Sequence, residues 1–313
     1  MTELAFIFPG QGSQQVGMGL ELAQAYPTAS ATFDEADSVL GRRLSQLCFE
    51  GPATALQQTE NTQLTVLTCS IAALRVLQEL GISPRVVAGH SLGEYSALVA
   101  AQVLDLSDAL HLVEHRSRFM AEASGRQDCA MAAILGLDED TLKDFCAEAQ
   151  SAGVVQVANY NCPGQLIISG DAAAVQKVVE RGKEEVGAKR CRLLPVSGAF
   201  HSALMEPARG QLQAVIGDFD FHPPQTELVA NVTGDFVSTP DEIRQLLVDQ
   251  VISPVQWDKS IRLIGGTGVS HFVEIGPGKV LGGMVRRILD DAACSNVEDI
   301  KSLEKTVESI IIN

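Results

Sequence analysis

No two of the seven cysteines stand in a C-x-x-C pair: Cys48, Cys69, Cys129, Cys146, Cys162, Cys191 and Cys294 are scattered and odd in number. That argues against a disulfide framework or a cysteine zinc site and fits a reducing compartment. Positive charge is scarce too. Lys and Arg total 23 against 39 Asp and Glu, a net charge of −16. Non-specific binding to a phosphate backbone needs clustered basic residues, so no nucleic-acid partner is expected and a small-molecule substrate is the natural one. The start, Met1-Thr2-Glu3-Leu4, puts no basic segment ahead of an apolar one, and polar residues break every apolar stretch well short of a membrane span. No signal peptide and no membrane association are expected, and the reading is a cytoplasmic protein. Repeats and low-complexity tracts are absent. What remains, 46% hydrophobic and 20% charged residues over 313 positions, is the make-up of an ordinary globular protein. The length suits one large domain or two smaller ones.

The apolar pattern predicts a buried strand at Leu4–Phe8, ended by Pro9-Gly10-Gln11-Gly12, with helical runs over Leu20–Leu40 and Thr62–Leu80. A strand Val86–Gly89, a helix after Ser91 and another helix over Ser107–Ala123 follow. Such alternation argues for α/β layering around a mostly parallel sheet. After Gly125 the character changes. Strands are predicted at Ala130–Leu135, Val154–Ala158, Gln165–Ser169 and Lys189–Leu194, with helices at Asp138–Ala152 and Asp171–Val186 and a turn built on Asn161, Pro163 and Gly164. That order, β-α-β-β-α-β, is ferredoxin-like. It reads as a subdomain over 126–195 inserted into a larger, discontinuous α/β domain formed by 1–125 and 196–313. Beyond it the pattern gives a helix over His201–Ile216, strands at Thr226–Ala230 and His271–Ile275, and helices at Asp241–Val251 and Trp257–Leu263. A last core helix runs through Leu289, and the tail Val297–Ile312 is helical in propensity.

Gly89-His90-Ser91-Leu92-Gly93 places a serine at the apex of a strand-turn-helix, the setting of a nucleophile elbow. A serine hydroxyl needs an adjacent base and donors for the developing oxyanion. Among the six histidines, His111 and His115 share a helix face but lack a third metal ligand. His222 and His271 read as structural, and His90 diverges from its neighbour Ser91. His201 sits where Pro195-Val196-Ser197-Gly198-Ala199-Phe200 meets a helix, a position from which a side chain reaches into a cleft. Gly276-Pro277-Gly278-Lys279 lacks the spacing of a P-loop, and Gly10-Gln11-Gly12 lacks the third glycine and acidic partner of a dinucleotide fingerprint. Both read instead as strand-end turns that bring backbone close to a cleft.

Several blocks together resemble the malonyl-CoA:acyl-carrier-protein transacylases. They are Phe8-Pro9-Gly10-Gln11-Gly12-Ser13-Gln14, Gly89–Tyr95, Arg116, Asn159–Gln165, Gly198–His201, Pro254-Val255-Gln256-Trp257 and Glu274–Lys279. They run in order from residue 6 to about residue 287. The resemblance implies an α/β-hydrolase-like large domain with the ferredoxin-like insertion. It also implies transfer of a malonyl group from malonyl-CoA, through an ester on Ser91, to the phosphopantetheine thiol of acyl carrier protein in fatty acid biosynthesis. In that scheme His201 is the base and the main-chain carbonyl of Gln250 orients it. Backbone N–H groups of Gln11 and Leu92 form the oxyanion hole, and Arg116 pairs with the malonyl carboxylate. Phe200, beside the malonyl α-carbon, would crowd a methyl branch. The family uses no cofactor and no metal, malonyl-CoA being a substrate.

A discrete polyketide-synthase-type acyltransferase would use the same residues. A serine hydrolase or thioesterase shares the elbow but needs Asp or Glu between serine and histidine in chain order, and many acidic residues lie there. A non-catalytic scaffold has no use for Ser91, His201, Arg116 and Gln11 together. For docking of an acidic carrier, Lys183, Lys189, Arg190 and Arg192 at the end of the insertion, with Arg286 and Arg287, form a candidate basic patch.

Overall fold

The computed structural model describes residues 3–312 other than 186 and 197; the predicted Met1-Thr2 start, the Val186 helix end and Ser197 lie outside it. The described residues form ten strands: β1 (Leu4–Phe8), β2 (Val86–Gly89), β3 (Cys129–Leu135), β4 (Val155–Cys162), β5 (Gln165–Asp171), β6 (Arg190–Leu193), β7 (Glu227–Val229), β8 (Phe236–Val237), β9 (His271–Ile275) and β10 (Ala293–Val297). Every residue of β1, β2 and β9 is buried. Such apolar runs suit a parallel sheet covered on both faces. They form its centre, in the order β10-β9-β1-β2-β7-β8, parallel throughout except for the β7–β8 pair.

The second sheet has the order β4-β5-β3-β6 and is wholly antiparallel. Counted within the insertion, that is first strand between third and fourth, as the ferredoxin-like pattern requires. The helices Glu139–Ala149 and Ala172–Glu184 pack apolar residues such as Leu142, Phe145, Val175 and Val179 onto one face of it. The strand β4 is also bridged to Val255, just ahead of the helix Trp257–Gly266. Val255 N donates to Ala158 O and Tyr160 N donates to Val255 O, both at 2.9 Å. Register shifts in β4 on either side of Asn159 and Tyr160 accompany this bridge. Bulges re-aim side chains where pairing changes, and they favour active sites.

Some expected elements are shifted. The run Leu20–Leu40 is two helices, Leu20–Ala25 and Pro27–Leu40, because the residue before a proline is pushed out of the helical region and Tyr26 is extended. Asn161, placed in a turn from sequence, belongs to β4, and the turn shrinks to Pro163-Gly164 with Gly164 at φ 67°. The region expected as one helix from His201 begins with a tight turn, and the α-helix spans Glu206–Val215. The short β8 and the edge strand β10 were not foreseen. In Ala-Cys-Ser-Asn-Val only Val297 carries a strong strand preference, and the strand is made by its ladder to β9. The tail helix consequently starts at Ile300, with Ser302 N donating to Asp299 Oδ1 at 2.7 Å.

Candidate active site

The turn after β2 explains its own glycines. A Cβ on Gly89 would lie 1.9 Å from the Gly93 backbone, and one on Gly93 would lie 2.1 Å from Phe8 O. Only bare backbone lets β1, β2 and the helix Gly93–Ala100 meet this closely. Ser91 between them has φ 53°, a left-handed conformation that costs a non-glycine residue about 1–3 kcal/mol. Asn231, just past β7, holds it there: its Oδ1 accepts from Ser91 N and its Nδ2 donates to Gly89 O, both at 2.6 Å.

His201 Nε2 stands 2.7 Å from Ser91 Oγ. On the other side of the ring, Nδ1 faces the main-chain carbonyls of Gln250 at 2.8 Å and Ser253 at 3.2 Å. Carbonyls only accept, so Nδ1 carries the proton and Nε2 presents its lone pair to the hydroxyl. Burial, and then the charge of Arg116, push the imidazole pKa down to about 3, so the ring is neutral at physiological pH. His201 is itself at φ 58°. Gln156 on β4 braces its loop, donating through Nε2 to His201 O and Ile252 O and accepting from Ala203 N.

Arg116, on the helix Leu106–Ser124, is fully buried and forms no ion pair with a carboxylate among the described residues. Its Nη1 donates to Gln63 Oε1. Its Nη2 donates to Gln250 Oε1 at 2.8 Å and to Ser91 Oγ at 3.3 Å. The guanidinium carbon lies 5.4 Å from the Tyr95 ring centroid. The nearby carboxyl, Glu94, accepts from Gln250 Nε2 and Asn231 N. Burial pushes it up to about 7, against those hydrogen bonds and the charge of Arg116.

These groups open onto a cleft of about 260 Å³ whose walls include Gln11, Leu92, Phe200 and Met284. The backbone N–H groups of Gln11 and Leu92 donate to no acceptor among the described residues. Close packing fixes the Gln11 turn, since a Cβ on Gly10 would lie 2.5 Å from His90 O. Gly276 has φ 125°, and a Cβ there would meet Ser70 Oγ at 2.2 Å. That turn leads into Val280–Ile288, which lends Leu281 and Met284 to the cleft. The Phe200 ring packs on Gly198, where a Cβ would come within 2.3 Å of it.

All seven residues singled out from sequence, Ser91, His201, Gln250, Gln11, Leu92, Arg116 and Phe200, are thus in or against one cleft. His90 turns away from Ser91, bonding Asn161 Oδ1 at 2.9 Å and packing edge-on against Trp257. His115 stacks on Phe119, and no cluster of metal-ligating side chains occurs among the described residues. Within the basic patch, Lys183, Lys189, Arg190 and Arg192 are exposed around the edge strand β6. Arg287 is exposed too and bonds Gln165 Oε1 and Pro163 O, neutral partners that leave its charge in place. Sequence reasoning missed Gln63, Gln156, Asn231, Glu94 and the Gln250 side chain. One signal was available for Asn231: a polar residue just past the C-terminal end of a parallel strand faces the crevice where open α/β sheets bind ligands.

Residues 5–307 match the family model described as an acyl transferase domain. The chain is 45% identical over 311 residues to the malonyl CoA-acyl carrier protein transacylase of Bacillus subtilis (strain 168), covering 99% of this chain and 98% of the relative. An acyl carrier protein S-malonyltransferase from Vibrio cholerae superposes with a TM-score of 0.93 at 42% identity, covering 97% of this chain and all of that one. A malonyl-transacylase solved in complex with its type II PKS acyl-carrier protein gives 0.95 at 41%, covering 98% of this chain and all of that one. No helix of the described residues is long and apolar enough to cross a membrane. With identity and fold agreeing from end to end, this chain belongs to the malonyl-CoA:acyl-carrier-protein transacylases of the acyl transferase family.

Proposed function

We propose that this protein carries malonyl units from malonyl-CoA to the phosphopantetheine thiol of acyl carrier protein, supplying extender units for fatty acid synthesis. The observation that carries this reading is Arg116. A buried guanidinium without a carboxylate partner among the described residues, 3.3 Å from a serine hydroxyl, suits an acyl group that brings its own carboxylate. The names of the relatives and the carrier-bound neighbour support the same substrate and acceptor.

In the first half-reaction Ser91 Oγ attacks the thioester carbonyl while His201 Nε2 takes the hydroxyl proton. The carbonyl oxygen becomes an oxyanion facing the N–H groups of Gln11 and Leu92. Collapse breaks the C–S bond, and the departing sulfur takes the proton from His201, leaving CoA-SH and a malonyl-serine ester. In the second half-reaction the carrier thiol gives its proton to His201 and its sulfur attacks the ester. The serine oxygen leaves, is reprotonated by His201, and the malonyl thioester departs on the carrier. No electrons change hands, so the chain's own residues suffice without a cofactor.

A carbonyl in place of Asp or Glu behind His201 disfavours the serine hydrolase reading. A polyketide acyltransferase stays close, given the PKS-bound neighbour. We divide the chain into a catalytic unit, 1–125 with 196–313, and an inserted unit, 126–195. Seven free thiols suit a cytoplasmic setting. Intact mass after incubation with malonyl-CoA, with and without carrier protein, tests the reading. A malonyl adduct on Ser91 that moves to carrier phosphopantetheine is expected; loss of the adduct to water alone would return the hydrolase reading. Running fatty acid and polyketide carriers side by side separates the two pathways.

A further inference from the structure

The Gln250 side chain is a hub that the reaction scheme above leaves unused. Its Nε2 donates to Ser91 O at 3.0 Å and to Glu94 Oε2, while its Oε1 accepts from Arg116 Nη2 at 2.8 Å. Gln250 is fully buried and Glu94 and Arg116 nearly so, leaving no water to substitute for a lost partner. We propose that Glu94 is a positioning residue that locks the Gln250 amide with its oxygen toward Arg116, and so sets the enzyme's preference for malonyl over uncharged acyl groups. The inference rests on the malonyl-loading reading.

The argument is one of donors and acceptors. An ionised Glu94 only accepts, and it receives two N–H groups, from Asn231 N on Oε1 and from Gln250 Nε2 on Oε2. Ser91 O also only accepts. Two acceptors on one side of the Gln250 amide permit a single orientation, with the amide oxygen facing Arg116. Interposing an amide has a second effect. Were Glu94 itself against the guanidinium, it would neutralise the charge that a malonyl carboxylate must find. The chain Arg116–Gln250–Glu94 holds the cation in place by hydrogen bonds yet keeps it without a carboxylate of its own.

Glu94→Gln breaks this logic with minimal change in shape. The backbone N–H of Asn231 cannot turn, so the new amide must offer it oxygen and present NH2 to Gln250. Gln250 is then mismatched whichever way it lies: unturned, its NH2 meets the new NH2; turned, its NH2 meets the guanidinium and its oxygen meets Ser91 O. Loading of Ser91 is followed by intact mass at pH 8, where the carboxyl is mostly ionised, with malonyl-CoA and with acetyl-CoA. The full chain is used as wild type, Glu94→Gln and Gln250→Met, the last keeping the main-chain carbonyl behind His201. The malonyl-to-acetyl ratio is expected to fall about tenfold in both variants, mainly through a higher apparent KM for malonyl-CoA. Equal losses for the two acyl groups in Glu94→Gln would reduce Glu94 to a prop of the elbow through Asn231 and overturn the proposal. If that variant fails to fold, Gln250→Met decides, and an unchanged ratio overturns it. A wild type that does not prefer malonyl would sink the proposed function; variants that keep the preference of a malonyl-loading wild type sink only the role of Glu94.

Discussion

Arg116 Nη2 is 3.3 Å from Ser91 Oγ, so in the proposed reaction the group that reads the substrate's carboxylate touches the atom that attacks its thioester. Recognition and chemistry are therefore set within one acyl unit, and selectivity and rate separate only by changing one residue at a time.

Ser91→Ala should abolish covalent loading, since the strained turn presents no other hydroxyl to His201 Nε2. A malonyl adduct persisting in that variant would place the nucleophile elsewhere. His201→Ala should lower both half-reactions by several orders of magnitude, each followed separately by rapid-quench mass analysis.

Replacing Arg116 with Ala removes a buried bidentate partner, a loss of about 2–5 kcal/mol, which corresponds to roughly 30-fold or more in malonyl loading. Acetyl loading, with no carboxylate to satisfy, should hold or rise. Parallel falls for both acyl-CoAs, in a variant whose melting temperature is kept, would show that Arg116 serves structure.

Acid should leave the base intact. His201 is held at about 3, so acetyl loading should show no fall in rate centred near pH 6.5, the ordinary imidazole value. A group depressed in the folded state contributes stability above its unfolded pKa and loses it as pH falls, here between about 6.5 and 3. Glu274 runs the other way. Burial raises it to about 7. Its contribution is full below its unfolded value near 4.5 and is lost as pH rises through 7. Denaturant melts of Glu274→Gln against wild type should therefore show the variant gaining, by up to about 1.4 kcal/mol per pH unit, between pH 5 and 7. A pH-independent difference would mean that Glu274 titrates as an ordinary carboxyl.

Phe200→Ala should open the cleft beside the malonyl α-carbon. Overpacking by one methylene costs about 1–3 kcal/mol, so methylmalonyl loading should rise relative to malonyl by roughly 5- to 150-fold. An unchanged ratio in competition assays would place the size filter on another wall.

Charge reversal at Lys189 and Arg190 should raise the KM for acyl carrier protein and flatten its dependence on salt, leaving malonyl-CoA loading nearly unchanged. Both are exposed, and the strand β6 runs directly into Leu194 at the cleft. Carrier affinity indifferent to those charges would remove this edge from the docking surface.

Much of this architecture was legible from residue order alone. Buried apolar runs marked β1, β2 and β9, and the small antiparallel sheet announced itself through alternating strand and helix periods. Ser91 and His201 were singled out from the turn and the loop that carry them, and the other five candidate residues came through motif resemblance. Polar groups that act through other polar groups stayed hidden. Nothing local distinguishes Gln63 in Thr59–Glu79, or Gln156 in β4, from an ordinary polar residue; each acquires its task only when remote segments meet. Local rules also missed β10, whose sequence has little strand preference and takes its form from a neighbour.

The stitch between β4 and Val255 has a consequence for engineering. Because Gln156 crosses from the small sheet to hold the loop of His201, the small sheet is not independent of the proposed base. Exchanging residues 129–193 for the equivalent piece of a relative would also replace the brace on the His201 loop. A chimera that ignored this is expected to keep the Ser91 turn and lose the alignment of His201.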